Sequence, residues 1–217
     1  INIIFKSSFD KANRTSLHSY RGPNLEKGLT MLNDIKMKYG LSLLTDIHEP
    51  YQAEIVGGIV DVIQIPAFLC RQTDLLVAAA RTGKIINIKK AQFLSGQDMK
   101  YPVEKVRETG NANVWLTERG NTFGYNNLVV DFRNIPDMCS ITPHVIMDCT
   151  HSVQRSGADG GKTGGNREYV PAMALAAKAF GATGYFFEVH PNPDMALSDG
   201  PNMLYLKDLE KVICSLL

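Results

Sequence analysis

The sequence predicts an α/β protein built on parallel strands, in the form of a (β/α)8 TIM barrel whose first βα unit is absent from the 217 residues given. Three observations lead to this expectation. Strand-like apolar runs alternate with segments of helical spacing seven times, in units of roughly 25 to 40 residues. Those runs are nearly continuous in apolar residues, as in strands covered on both faces, rather than alternating as in a half-solvated sheet. The chain also opens with Ile1 rather than Met, and it opens inside such a run. Seven units are one short of a closed barrel of eight. A doubly wound open sheet is the alternative, weakened because no G-x-G-x-x-G follows a strand. No internal repeat or low-complexity linker divides the chain, so residues 1–217 read as one barrel domain made of units two to eight.

Each element has its own justification. Ile1 to Phe5 is an apolar strand, followed at once by a basic cluster, Phe5 to Ser16. From Asn24 to Tyr39, Leu25, Leu29, Leu32 and Ile35 keep helical spacing, and Gly40 stands where a helix ends. Leu41 to Glu49 is a strand ending in acids and a His, and Gln52 to Gly58 is a short helix. Asp61 to Pro66 gives the next strand and Thr73 to Thr82, closed by Gly83, the next helix. Lys84 to Lys90 is a strand, with a helix near Asp98 to Thr109 running up to Gly110. Asn113 to Arg119 is a strand, and Leu128 to Met138 a looser helical region. The last units are strand His144 to Cys149, helix Glu168 to Phe180, strand Gly184 to Val189 and terminal helix Leu204 to Leu217.

Hydrophobic content of 44%, charged content of 21% and a formal net charge of +1 describe an ordinary soluble globular chain. That balance argues against a global affinity for nucleic acid or anionic membrane, so local charge must do any binding. There is neither an apolar run of the ~18 residues that span a bilayer nor a signal segment, which leads to the expectation of a cytoplasmic protein. The cysteines Cys70, Cys139, Cys149 and Cys214 lack C-x-x-C spacing and are expected to be mostly core thiols.

Polar residues gather where an α/β barrel builds its active site, at the C-terminal strand ends. The ends supply Lys6 and Ser8, Asp46 and His48, Gln64, Lys89 and Lys90, Glu118 and Arg119, Asp148 and His151, and Glu188 and His190. Sorted by charge they form two zones. Lys6, Lys11, Arg14, Lys89 and Arg119 make a cationic set suited to two phosphates, or to a phosphate and a carboxylate. Asp46, Asp148, His151, Glu188 and Asp199 form the other, and an imidazole with carboxylates suits either a divalent metal or general acid–base chemistry. Simple pairing of the acids with the lysines is the structural alternative. Gly157 to Asn166, rich in glycine, reads as a flexible lid rather than a phosphate loop, and Phe123 and Tyr125 are expected to pack at the barrel rim. Arg71 lies just beyond a strand end, oddly far outward.

Several of these stretches are long and nearly gapless matches to one family. Phe5 to Arg14, Thr45 to Glu49, Gln64 to Asp74, Asn87 to Lys90, Glu118 to Gly120 and Phe123 to Tyr125 resemble the 3-deoxy-D-manno-octulosonate 8-phosphate synthases, over almost the whole chain. The resemblance implies a cytoplasmic (β/α)8 barrel, commonly a homotetramer, that condenses phosphoenolpyruvate with D-arabinose 5-phosphate and releases inorganic phosphate in lipopolysaccharide biosynthesis. It implies that Lys6, Ser8, Lys11, Lys89, Gln92 and Arg119 form the phosphoenolpyruvate site. Asn13, Arg14 and Thr15 are implied sugar-phosphate contacts, with Phe68 also at the substrate and Arg71 reaching in from a neighbouring subunit. Catalytic roles are implied for Lys11, Asp46, His151 and Asp199, His151 acting with Asp46 or Asp199 on the attacking water. No organic cofactor is implied. The family has metal-dependent and metal-free classes; both keep equivalents of His151, Glu188 and Asp199, and the deciding Cys or Asn lies on a strand upstream of Ile1. Asp148 to Gln154 and Ala196 to Asp199 are closer to the metal-dependent class, whereas Gly200-Pro201 resembles the other; on balance the resemblance favours a divalent metal ion, with His151, Glu188 and Asp199 as its residues. Rival readings are the sister heptulosonate 7-phosphate synthase acting on erythrose 4-phosphate, a Schiff-base aldolase using Lys89, and a non-catalytic phosphosugar-binding barrel.

Overall fold

A computed structural model describes residues 1–14, 16–159 and 162–217, and the side chains of all of these except 156–159, 162 and 163. The described chain divides into two compact units, Ile1–Lys89 with Lys100–Trp115, and Lys90–Met99 with Leu116–Leu217. It is an α/β structure in which the principal strand pairings are parallel.

In the first unit, β1 (Ile4–Lys6), α1 (Leu25–Tyr39), β2 (Ser42–Asp46), α2 (Gln52–Gly57), β3 (Val62–Ile65), α3 (Thr73–Arg81), β4 (Ile85–Lys89) and α4 (Lys100–Glu108) alternate as expected. Strands β1 to β4 lie side by side in chain order, all parallel. The register sets Lys6 beside Leu44, Asp46 beside Gln64 and Gln64 beside Asn87, so the polar strand ends fall along one edge of the sheet. Leu43, Ile63, Ile65, Ile86 and Ile88 have no exposed surface, and Leu29, Leu32, Leu75, Leu76, Val103 and Val106 bury the inner faces of the helices. Helix α1 has the signals its sequence carries at both ends. The Asn24 side chain accepts from the Lys27 N–H, and Gly40 closes the helix in the left-handed conformation.

Strand β5 (Val114–Glu118) carries the chain into the second unit. There follow β6 (Asn121–Thr122), β7 (Leu128–Val129), α5 (Asn134–Cys139), β8 (Val145–Asp148), β9 (Gln154–Asp159), β10 (Lys162–Gly165), α6 (Val170–Ala179), β11 (Gly184–Phe186), β12 (Val189–His190), β13 (Leu204–Tyr205) and α7 (Leu206–Leu216). Strand β8 pairs in parallel with β5 on one side and with β11 on the other. Leu116, Val145 and Met147 are fully buried, as are Ile135 and Met138 of α5 and Val170, Ala174 and Ala177 of α6.

Two expectations are corrected. The helical region around Leu128 to Met138 contains an antiparallel hairpin, β6 with β7, and only then the short α5. Gly120, Gly124 and Asn126 all take positive φ and turn the chain back on itself, and Pro136 fits only the first turn of a helix. The strand over Gly184 to Val189 stops at Phe186. The Glu188 N–H is taken by the Thr150 hydroxyl at 2.8 Å, after which Val189 and His190 pair instead with Leu204 and Tyr205. The terminal helix therefore begins at Leu206. Within the stretch expected to be a lid, Gly157 to Asn166, residues 160 and 161 lie outside the described set, and the backbone on either side pairs as β9 with β10.

Candidate active site

The polar end of the first unit is organised around Asp46. Strand β2 ends there, beside the end of β1, and three side chains converge on its carboxylate. Lys6 Nζ donates to Ser8 Oγ at 2.7 Å, Ser8 Oγ donates to Asp46 Oδ1 at 2.5 Å, and Lys6 Nζ lies 3.5 Å from the same oxygen. His48 Nε2 lies 3.2 Å from Oδ2. Burial alone would push the Asp46 carboxyl up, but the Lys6 charge, the His48 imidazole and the Ser8 hydroxyl outweigh it and hold it well below the usual carboxylate range. Thr45 helps fix the loop, its hydroxyl donating to the Ser7 carbonyl at 2.6 Å.

Other predicted residues of this unit stand nearby in the chain. Lys89 ends β4 and is buried at 7% exposure, two residues beyond Asn87, whose Nδ2 donates to Gln64 Oε1 at 3.1 Å. Lys11 and Arg14 are half-buried and Asn13 exposed on the loop after β1; the Lys11 N–H is anchored to the Arg21 carbonyl at 2.6 Å. Thr15 lies outside the described residues. Phe68, on a single 3-10 turn at Ala67–Leu69, is 57% exposed, and Arg71 just beyond it is exposed. The Arg71 carbonyl accepts from Lys105 Nζ at 3.0 Å, which ties this loop to α4.

The second unit holds the imidazole. His151 follows β8, and its Nδ1 lies 2.8 Å from Asp148 Oδ2 while its backbone N–H donates to Asp148 Oδ1 at 2.8 Å. That double contact leaves Nε2 3.9 Å from Glu188 Oε2, with the ring stacked on Phe186. Asp148, with no exposed surface, is thus the carboxylate on the His151 ring, whereas Asp199 accepts from Gln154 Nε2 at 3.1 Å. Among the described residues no group of three or more His, Cys, Asp and Glu is gathered as a metal site. The donor chemistry nonetheless suits one, since a carboxylate on one ring nitrogen is the arrangement that orients a ligating imidazole through the other.

Arg119, just after β5, is 6% exposed and donates through Nη2 to Gln154 Oε1 at 3.0 Å. Burial lowers its pKa, against the raising influence of Asp148, Glu118 and Asp199. Gln92 is half-buried, and its Oε1 is buried with no hydrogen-bond partner among the described residues. Gln154 carried no role from its sequence, yet it joins Arg119 to Asp199 with the two ends of one amide. Lys90 and Glu118, which also sit at strand ends, have no exposed side-chain surface and lie 3.5 Å from each other, so they follow the structural alternative of acid–lysine pairing.

Comparison with known proteins shows the family. The chain is 58% identical over 217 residues to the 2-dehydro-3-deoxyphosphooctonate aldolase of Cyanothece sp. (strain PCC 7425 / ATCC 29141), covering 100% of this chain and 80% of that protein. It is 57% identical over 213 residues to the protein of the same name from Fusobacterium nucleatum, covering 98% and 77%. Identity to that of Agrobacterium fabrum is 55% over 217 residues, covering 100% and 77%. The model described as the DAHP synthetase I family matches residues 1–217. Matched from end to end by that model and more than half identical to relatives over its whole length, the chain belongs to the DAHP synthetase I family.

Proposed function

We propose that the chain catalyses the aldol-type condensation of phosphoenolpyruvate with D-arabinose 5-phosphate and water, giving 3-deoxy-D-manno-octulosonate 8-phosphate and inorganic phosphate. The observation that carries this reading is identity of 58% over all 217 residues to a protein named 2-dehydro-3-deoxyphosphooctonate aldolase. The site chemistry supports it. Lys6, Ser8, Lys11, Lys89, Gln92 and Arg119 form the phosphoenolpyruvate subsite, and Asn13, Arg14, Thr15 and Phe68 take the sugar phosphate together with Arg71 of a neighbouring copy. The enzyme is a cytoplasmic homotetramer on this reading, and its chain folds as a (β/α)8 barrel.

The methylene carbon of phosphoenolpyruvate attacks the aldehyde carbon of the open-chain sugar, whose carbonyl oxygen becomes a hydroxyl by taking up a proton equivalent to the one the attacking water gives up. Water adds at the enol carbon, and the tetrahedral intermediate expels phosphate. Positioned cations serve this sequence, because negative charge grows on the aldehyde oxygen as the carbon–carbon bond forms and on phosphate as it leaves. Lys6 and Lys11 balance that charge, and Asp46 holds Lys6 in place. His151, kept in one orientation by Asp148, accepts the proton of the attacking water at Nε2. In the alternative in which His151 Nε2 is a ligand and not the base, His151, Glu188 and Asp199 would hold a divalent ion, which when bound supplies Lewis-acid polarisation of an oxygen.

The test is release of phosphate from phosphoenolpyruvate, measured with arabinose 5-phosphate, with erythrose 4-phosphate and with no sugar. Release that depends on arabinose 5-phosphate is expected. Preference for erythrose 4-phosphate, or no release with either sugar, overturns the reading.

A further inference from the structure

The mechanism leaves one buried ionic pair unused. Lys90 and Glu118 have no exposed side-chain surface, and Lys90 Nζ lies 3.5 Å from Glu118 Oε1. Taking two charges out of water is expensive, and a buried pair usually adds little net stability over an apolar one, so its retention calls for another reason. The hydrogen bonds supply it. Lys90 Nζ donates to the Leu94 carbonyl at 3.0 Å, the Ala91 carbonyl at 3.3 Å and Asn121 Oδ1 at 2.8 Å. Glu118 Oε1 accepts the backbone N–H groups of Arg119 at 2.9 Å and Gly120 at 2.6 Å. Asn121 Nδ2 donates to the Leu94 carbonyl at 2.9 Å, and the Thr122 N–H donates to the Gln92 carbonyl at 3.1 Å.

Two segments are therefore sewn together by one ammonium and one carboxylate. One carries Gln92 and the other begins with Arg119. We propose that Lys90 and Glu118 are a positioning pair that sets Gln92 and Arg119, and through them the grip on phosphoenolpyruvate. This rests on the reading of Gln92 and Arg119 as phosphoenolpyruvate residues. Neither Lys90 nor Glu118 touches substrate. Each fixes backbone: the ammonium gathers three oxygens from residues 91, 94 and 121, and the carboxylate dictates the direction in which the chain leaves β5.

The test compares Lys90→Met/Glu118→Gln, which removes both charges together, with Asn121→Ala, a milder change at a half-buried position. For the double variant the expected result is a KM for phosphoenolpyruvate raised about tenfold or more, with kcat and the KM for arabinose 5-phosphate within about threefold of wild type. Asn121→Ala is expected to raise the same KM about threefold. Equilibrium binding of phosphoenolpyruvate alone should weaken in parallel. A purely structural role predicts lowered thermal stability with both KM values unchanged, and that outcome overturns the proposal. Should the double variant fail to fold, an unchanged phosphoenolpyruvate KM in Asn121→Ala overturns it. Wild-type protein that binds no phosphoenolpyruvate removes the reading of the site itself, which separates that failure from this one.

Discussion

Burial of Asp46 at 8% exposure would neutralise it were Lys6, Ser8 and His48 not aimed at its two oxygens. Its folded-state pKa therefore lies below the unfolded value of about 3.9. The sign follows from proton counting. In the window below about pH 4 the unfolded chain binds a proton that the folded chain refuses, so the Asp46 contribution is full above that window and is lost as pH falls through it. Asp46→Asn should cost about 1–3 kcal/mol at pH 7, since a charged acceptor of several bonds becomes a neutral one that offers Lys6 less. In urea unfolding from pH 7 down to pH 3, the gap between wild type and variant should stay constant to about pH 5 and then close. A gap that persists undiminished at pH 3 would show that the stabilisation is not ionic. Sequence alone places Lys6, Asp46, Lys90 and Glu118 at strand ends, yet it does not say which partners which. That depends on where each side chain turns after its strand stops, and so Asp46 faces Lys6 and Ser8 in the site while Glu118 is spent on Lys90.

The loop between β1 and α1 owes its path to close packing against the helix. Phe9 is buried at 2% exposure between two glycines. A Cβ on Gly28 would come 2.4 Å from Phe9 Cβ, and one on Gly22, whose φ is +119°, would come 2.4 Å from the Phe9 carbonyl oxygen. Gly28→Ala thus sets a helix-propensity gain of ~1 kcal/mol against an overpacking cost of ~1–3 kcal/mol. Overpacking should win, because the atoms in the way belong to Phe9 at its backbone end and not to a flexible tip. The variant is expected to lose about 1 kcal/mol in chemical denaturation, and to raise both KM values because Ser8, Lys11, Asn13 and Arg14 sit on the displaced loop. A variant more stable than wild type would mean that α1 moves away freely. Helices such as α1 were legible because spacing, an Asn cap and a closing Gly all agree. The β6–β7 hairpin was not, since the apolar pattern of Leu128 to Met138 suits a helix and only positive-φ backbone at Gly120, Gly124 and Asn126 redirects it.

Across the whole chain, charge nearly cancels at +1, so affinity for the two phosphorylated substrates proposed above would have to reside in local cations such as those at the strand ends and not in a general field. The same reasoning bears on the proposed divalent ion. His151, Glu188 and Asp199 come from three separate segments of the second unit: the turn after β8, the break between β11 and β12, and the approach to β13. An ion held by all three binds the folded chain and not the unfolded one, and mass action then adds its binding energy to global stability. Saturation at about 100 times Kd is worth ~2.7 kcal/mol, which for a chain of this size is a rise of ~5–10 °C in Tm. Chelation followed by desalting should lower Tm by that amount, and re-addition of a divalent cation should restore it. Metal content should approach one ion per chain in wild type and fall in Glu188→Gln. An unchanged Tm together with substoichiometric metal would remove the ion from the proposed site while leaving the condensation, which is assayed separately, untouched.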